Sequence, residues 1–342
     1  MTSMTRRSAC CRSATDAAAV KRTDARLRPG LDPITGTGMP ASRRPCLALL
    51  LLLTAVSTRT RAQSVMQITT TPLRPGIWVL SGFANGNILV HDDGTDVLLV
   101  DAQSDRRVSL ADSSLRVLTT RPVRTVVTTH YHDDHIGGNP HWKAQGARLV
   151  AQCNVAVQAR KDTTITEWRD WHRTPAPADA LPTECFTDSL AIARNGEQVL
   201  LHHVPMAHTD GDLIVWLPKA NVLHMGDVLE LGAPPFIDYW TGGSWTGMLA
   251  AVDAGLAIAN DQTIIVPGHG PTTNRAGMVA YRAMLQDLGE RVRDAVQRGE
   301  SMAAIVAARP AAEYEASFGG RSRADQFVQL LVVGFISQGA VR

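Results

Sequence analysis

From Gly76 onward, apolar and β-branched residues fall into short runs whose spacing switches between the strand and helix periods. Gly76–Leu80, Asn87–His91 and Asp96–Val100 read as strands, and Asp92-Asp93-Gly94 is the hairpin turn between the last two. A helix is expected over Arg106–Thr119, then a strand, Val123–Thr129, that runs straight into His130. Asn139–Gly146 reads as helix and Arg148–Ala151 as strand. Strands resume at Ser189–Arg194, Glu197–Val204, Asp212–Leu217 and Asn221–Met225. Trp245–Ala259 reads as helix, Thr263–Val266 as strand and Arg275–Arg298 as a long helix, with helical stretches near Met302–Arg309 and Ala324–Ile336 after it. Residues 160–184 fit neither period. They hold Trp168, Trp171, three prolines and scattered charge, and read as a long irregular insertion of the kind that forms lids. Alternating strands and helices, with no repeat and no long linker, predict one layered α/β or α+β domain over 63–342 whose segment 275–342 is a helical tail.

The head of the chain follows other rules. Cys46–Val56 is a short apolar run behind Arg43 and Arg44, and Thr60-Arg61-Ala62 places small residues around a cleavage position. That is the pattern of a secretory signal peptide, and the run falls short of the ~20 apolar residues a stable membrane anchor needs. The expectation is export, to the periplasm or beyond the cell, with translation starting at Met39 and the mature chain starting near Gln63. Ser42-Arg43-Arg44-Pro45-Cys46-Leu47 also has the look of a twin-arginine signal without its usual aromatic. Charge divides at the same place. Residues 1–62 hold 11 Lys/Arg and 3 Asp/Glu, and the remaining 280 hold 23 and 29, a net of −6. An acidic mature chain argues against nucleic acid as a partner, since phosphate contacts are built from clustered Lys and Arg. Export leaves Cys153 and Cys185 in a compartment that permits a bridge, though spacing alone does not say whether they meet.

Chemistry concentrates in Thr129-His130-Tyr131-His132-Asp133-Asp134-His135-Ile136-Gly137-Gly138, where three imidazoles and two further carboxylates occupy six positions after a buried strand. Imidazole and carboxylate suit zinc, and close spacing holds ligands in mutual geometry at low entropic cost. On a loop, His130 and His132 can point one way and Asp134 and His135 another, which makes two adjacent metals the natural outcome. Three more strand ends place a ligand type beside glycine: Ala207-His208-Thr209-Asp210-Gly211-Asp212, Met225-Gly226-Asp227 and Pro267-Gly268-His269-Gly270. Each alone is weak.

Together, in this order, they resemble the metallo-β-lactamase superfamily over about residues 70–290. The resemblance implies an α+β fold, a four-layer αββα sandwich with the metal loops along one edge. It implies that His130, His132 and His208 bind a first metal, that Asp134, His135 and His269 bind a second, and that Asp227 bridges them. Two adjacent divalent ions lower the pKa of a shared water from 15.7 toward ~7, so hydroxide is available at neutral pH, with Asp134 or Asp227 as proton carriers. Ligating imidazoles need their other nitrogen oriented by an acceptor, for which Asp101, Asp133 and Asp210 are candidates.

The expected activity is an exported dinuclear zinc hydrolase, iron or manganese being open alternatives, that cleaves a small-molecule ester, lactone, amide or thioester. Asp227 resembles the bridging aspartate of glyoxalase II, lactonases, phosphodiesterases and sulfatases; β-lactamases of this fold generally carry cysteine or a small residue there. β-Lactam hydrolysis is one alternative and a mononuclear-iron persulfide dioxygenase another. Phe83, Trp168, Trp171, Phe236, Tyr239 and Trp240 are candidates for an aromatic substrate wall. Gly242-Gly243-Ser244-Trp245-Thr246 lacks the last glycine of a nucleophile elbow, so a serine hydrolase is not indicated. Six further histidines (His91, His141, His172, His202, His203 and His224) are expected in core or surface roles.

Overall fold

A computed structural model describes residues 68–82 and 85–339. The segment expected to be a signal peptide and Phe83 lie outside the described residues.

In chain order the strands and helices are β1 Thr69–Arg74, β2 Ile77–Gly82, β3 Asn85–Asp92, β4 Val97–Val100, α1 Val108–Leu118, β5 Val123–Thr128, α2 Asp133–Ile136, α3 Asn139–Ala144, β6 Arg148–Gln152 and α4 Cys153–Gln158. There follow β7 Thr163–Ile165, β8 Trp171–Arg173, β9 Glu184–Phe186, β10 Ser189–Arg194, β11 Glu197–His203, β12 Leu213–Leu217 and β13 Val222–His224. The chain then runs through α5 Trp245–Ile258, β14 Ile264–Val266, α6 Arg275–Gln297, α7 Met302–Ala307 and α8 Arg321–Ser337.

Two sheets stack. The first has seven strands in the order β1-β2-β3-β4-β5-β6-β9, and the second has five in the order β10-β11-β12-β13-β14. The edge strands β1–β4 form an antiparallel meander, while β4–β5, β5–β6, β6–β9 and β13–β14 pair in parallel. The unbroken apolar run Val97–Val100 follows from a strand covered on both faces. Leu98 and Val100 point between the sheets, with Leu89, Val127, Val199, Leu201 and Val215. Val97 and Leu99 point outward to Ala111 and Leu115 of α1 and to Trp142 of α3. On the far side, Leu223 and Ile265 face Met248 and Val252 of α5, Leu285 and Leu288 of α6, and Phe327 and Leu331 of α8. Helices therefore cover both outer faces, an αββα sandwich. The helical tail is part of the outer layer. Three helices of that layer, α5, α6 and α7, begin on side-chain caps: Ser244, Asn274 and Ser301 accept from the N–H groups of Gly247, Gly277 and Ala304. Among the described residues no helix is long and apolar enough to cross a membrane.

The insertion differs from expectation. Residues 163–173 fold back as a small antiparallel hairpin, β7–β8, and β9 then joins the edge of the first sheet. A Cys153–Cys185 disulfide, Cα–Cα 4.9 Å, ties the start of α4 to β9 and closes the insertion at its base.

Candidate metal centre

His130, His132, Asp134 and His135 follow β5, His208 follows β11, Asp227 follows β13 and His269 follows β14, so four strand ends deliver seven side chains to one edge of the sandwich. They form two groups: His130, His132, His208 and Asp227, and Asp134, His135 and His269. Within each group the ligand atoms lie within 4.8 Å of one another. Short-range structure does the placing. The turn α2 puts Asp134 and His135 on the side away from His132, which is extended (φ −64°, ψ 150°). Gly226 has φ 52°, and a Cβ on Gly268 would sit 1.9 Å from Asp227 Oδ1, so the His269 loop presses on Asp227 only because position 268 is glycine.

Hydrogen bonds fix the imidazole tautomers. His130 Nδ1 meets Thr129 Oγ1 at 3.1 Å, and that hydroxyl is already spent donating to Asp101 Oδ2 at 2.9 Å. His130 must therefore donate from Nδ1, leaving a bare lone pair on Nε2. His208 Nδ1 donates to the Phe236 carbonyl at 2.8 Å, and His132 Nε2 donates to Asp238 Oδ2 at 3.3 Å. The three remaining nitrogens converge, His132 Nδ1 lying 3.1 Å from His130 Nε2 and 2.9 Å from His208 Nε2. Three lone pairs aimed at one point repel unless a cation sits among them. The second group repeats the logic: His135 Nδ1 donates to Asp101 Oδ2 at 2.8 Å, leaving its Nε2 3.4 Å from His269 Nε2 and 3.6 Å from Asp134 Oδ2.

Asp227 stands between. Its Oδ2 lies 3.8 Å from both His130 Nε2 and His208 Nε2 and 3.2 Å from His269 Nε2, while Oδ1 lies 3.3 Å from His135 Nε2. Asp227 Oδ1 is buried without a hydrogen-bond partner. Burial would raise its pKa, but the surrounding His269, His135 and His130 hold it well below the ordinary carboxylate range. Burial pushes His208 down to about 4, helped by His132, and drives His130 well below the usual imidazole value, so both imidazoles are neutral as ligation requires. Nitrogen-rich and carboxylate donors in these numbers suit a divalent ion such as zinc.

Of the expected orienting carboxylates, Asp101 alone takes that part. Fully buried and held at φ 68°, it accepts from the Thr129 N–H, the Thr129 hydroxyl and His135. Asp133 is exposed, and Asp210 accepts instead from Gln158 Nε2 at 2.7 Å. Sequence reasoning missed Asp238 and the Phe236 carbonyl, which belong to a strap without any motif of its own, and gave no role to Thr129 at the head of the histidine motif. It also missed Asp212, whose carboxylate takes the Thr209 N–H and hydroxyl and so stiffens the His208 loop.

The aromatic candidates separate. Trp168, Trp171 and Phe236 line a cavity of about 520 Å³ together with Arg169, His132, Asp133 and Asp134. Trp171 meets Phe236 edge-on at 5.6 Å, and Trp240 backs the wall 6.3 Å from Trp168 and 6.4 Å from Trp171. Tyr239 does not join them. Its ring packs on Gly334 of α8, where a Cβ would meet Tyr239 Cζ at 1.9 Å, because that helix crosses too closely for any side chain. The remaining histidines lie outside both groups; His141 binds Asp112 at 2.8 Å and His172 meets Thr164 at 3.0 Å.

A sandwich with two His/Asp clusters at one edge, beside an aromatic cavity, defines a metal-dependent hydrolase. The profile of the Metallo-beta-lactamase superfamily matches residues 81–269, and the chain belongs to that superfamily. A "Metallo-beta-lactamase type 2" of Bacteroides fragilis is 24% identical over 190 residues, 55% of this chain and 69% of that protein. A "Hydroxyacylglutathione hydrolase" of Stenotrophomonas maltophilia is 38% identical over 76 residues, 21% of this chain and 28% of its own. The solved structure of a metallo-beta-lactamase from Pontibacter korlensis shares the fold, with a TM-score of 0.54 at 19% identity over 65% of this chain and 100% of that one.

Proposed function

We propose that the protein is an exported dinuclear zinc hydrolase of small molecules, acting on an ester, lactone, amide or thioester. The observation that carries this reading is Asp227, which lies between the groups: Oδ2 is 3.8 Å from His130 and His208 Nε2 and 3.2 Å from His269 Nε2, and Oδ1 is 3.3 Å from His135 Nε2. His130, His132 and His208 would hold one ion, Asp134, His135 and His269 the other, and Asp227 both. Bound there, divalent ions supply a nucleophile from water at neutral pH and polarise the carbonyl under attack. The chain's own residues do the rest. Asp101, Asp238, Thr129 and the Phe236 carbonyl keep the imidazole lone pairs aimed inward. Trp168, Trp171 and Phe236, backed by Trp240, exclude water and seat the apolar part of the substrate. Asp134, which lines the cavity, or Asp227 would carry the proton from the attacking water to the leaving group. The disulfide supports export, since such bridges persist outside the reducing cytosol.

The test is a panel on the purified mature protein: a γ-lactone, an aryl ester, an acyl thioester, nitrocefin and a phosphodiester. Fastest turnover of a lactone, ester or thioester is expected. Nitrocefin turnover above the others would move the assignment to β-lactam hydrolysis. Oxygen uptake on a persulfide with one bound iron would replace hydrolysis by dioxygenation.

A further inference from the structure

We infer that Glu230 is a positioning residue for the ligand groups, acting as the latch of a strap that runs from Glu230 to Asp238. This rests on the metal-centre reading above. Glu230 is 8% exposed, and among the described residues it has no ion-pair partner within 4.0 Å. Burying a carboxyl is costly unless its oxygens are hydrogen-bonded. Its Oε1 accepts the Phe236 N–H at 3.0 Å, closing residues 230–236 into a loop across that chord.

What hangs on the strap explains the task. The Phe236 carbonyl takes His208 Nδ1 at 2.8 Å, and the Phe236 ring lies 6.0 Å from that of His132 and 5.6 Å from that of Trp171. Two residues on, Asp238 takes His132 Nε2, and its own N–H donates to the His208 carbonyl at 2.9 Å. At the other end Glu230 forms a bridge with His269, and the Leu231 N–H donates to the His269 carbonyl at 3.0 Å. One segment therefore orients two imidazoles of the first group from outside and abuts the backbone of a third in the second. Pro234 and Pro235 carry no N–H, so between the Leu231 and Asp238 anchors the Phe236 N–H on Glu230 is what ties the middle of the strap. Releasing the latch frees the Phe236 peptide, and with it the acceptor that keeps His208 in its ligating tautomer.

The experiment compares wild type, Glu230→Gln and Glu230→Ala by competition for zinc against a chromogenic chelator, with thermal unfolding as the control for folding. Glutamine keeps an acceptor oxygen at the same reach; alanine removes it. The expected result is near-wild-type zinc affinity in Glu230→Gln, and in Glu230→Ala one equivalent weakened by about 10–100-fold while the other stays tight. Unchanged affinity in Glu230→Ala, equal weakening in both variants, or an unfolded Glu230→Ala protein would overturn the inference. A wild-type protein that binds no zinc would instead defeat the metal reading itself, so the two failures are distinguishable.

Discussion

The strand-end loops and the insertion between residues 160 and 184 face the same cavity and are held in different ways. Each ligand loop begins where a buried strand stops, so its course is set by the sandwich core and by local glycines such as Gly226 and Gly268. Its side chains are then locked by buried acceptors one step away, Asp101 for His135 and Asp238 for His132. The hairpin β7–β8 has two short strands, few buried residues and left-handed backbone at Arg169 and Asp170. What places it is a covalent tie at its base and contacts made by Trp168, Trp171 and Arg173, the last stacked on Tyr131 at 4.7 Å. On the proposed reading, chemistry would sit on the stiff part and substrate contact on the hairpin. A hydrolase can change its substrate by remodelling the second without disturbing the first.

The comparison can be broken most forcefully at Asp227. Asp227→Ala should lose one metal equivalent and reduce kcat by ~10³-fold or more, as expected when a carboxylate shared by both sites is removed; retained stoichiometry with full turnover would remove its bridging role. At the insertion, the Cys153→Ser/Cys185→Ser pair opens a loop with a sequence separation of 32. Chain entropy puts that closure at about 3–4 kcal/mol, so Tm by calorimetry should fall by about 5–7 °C while both metal equivalents remain. Loss of metal in that variant would mean that the two regions are not separable. Trp171→Ala should raise KM by about tenfold with kcat changed less than threefold, since it removes one aromatic wall and no ligand. An equal fall in kcat would place Trp171 in the chemistry.

The smallest effect belongs to a region that touches neither. Asp93, in the β3–β4 turn, lies 3.2 Å from Arg194 of β10 and joins the two sheets. Burial would raise its pKa, but N–H groups of Thr95, Asn195 and Asp96, together with Arg194, hold it below the ordinary carboxylate value. A depressed folded-state pKa gives stability that is present above the unfolded value of ~4 and lost as pH falls through the folded one. Asp93→Asn should therefore cost about 1 kcal/mol or less at pH 7 in denaturant titrations, with the difference from wild type vanishing in strong acid. Metal content and KM should not move.

Much of this was legible in the chain. The ligand spacing is local, and local spacing survives folding: His130, His132, Asp134 and His135 belong to one strand-to-helix turn, and His208, Asp227 and His269 each follow a strand whose apolar run marks its end. The strands themselves follow from period-2 patterning over a two-sided core, with boundaries shifted by a residue or two. Of the groups that orient the ligands, Asp101 was legible, but Asp238 and the Phe236 carbonyl were not, because they reach His132 and His208 across long sequence distances. Tyr239 illustrates the same limit. It adjoins Trp240 in sequence, yet the close approach of α8 turns its ring away from the cavity. The hairpin's three-residue strands carry too little pattern to be seen, and the polar threonines of β1 give no apolar alternation.

The most direct test of the account is elemental analysis of the purified mature protein, reconstituted with zinc and dialysed, alongside a chelator-treated sample. Two equivalents per chain, both removed by the chelator together with hydrolysis, is the predicted result. A single equivalent, or hydrolysis that persists in a metal-free protein, would contradict it.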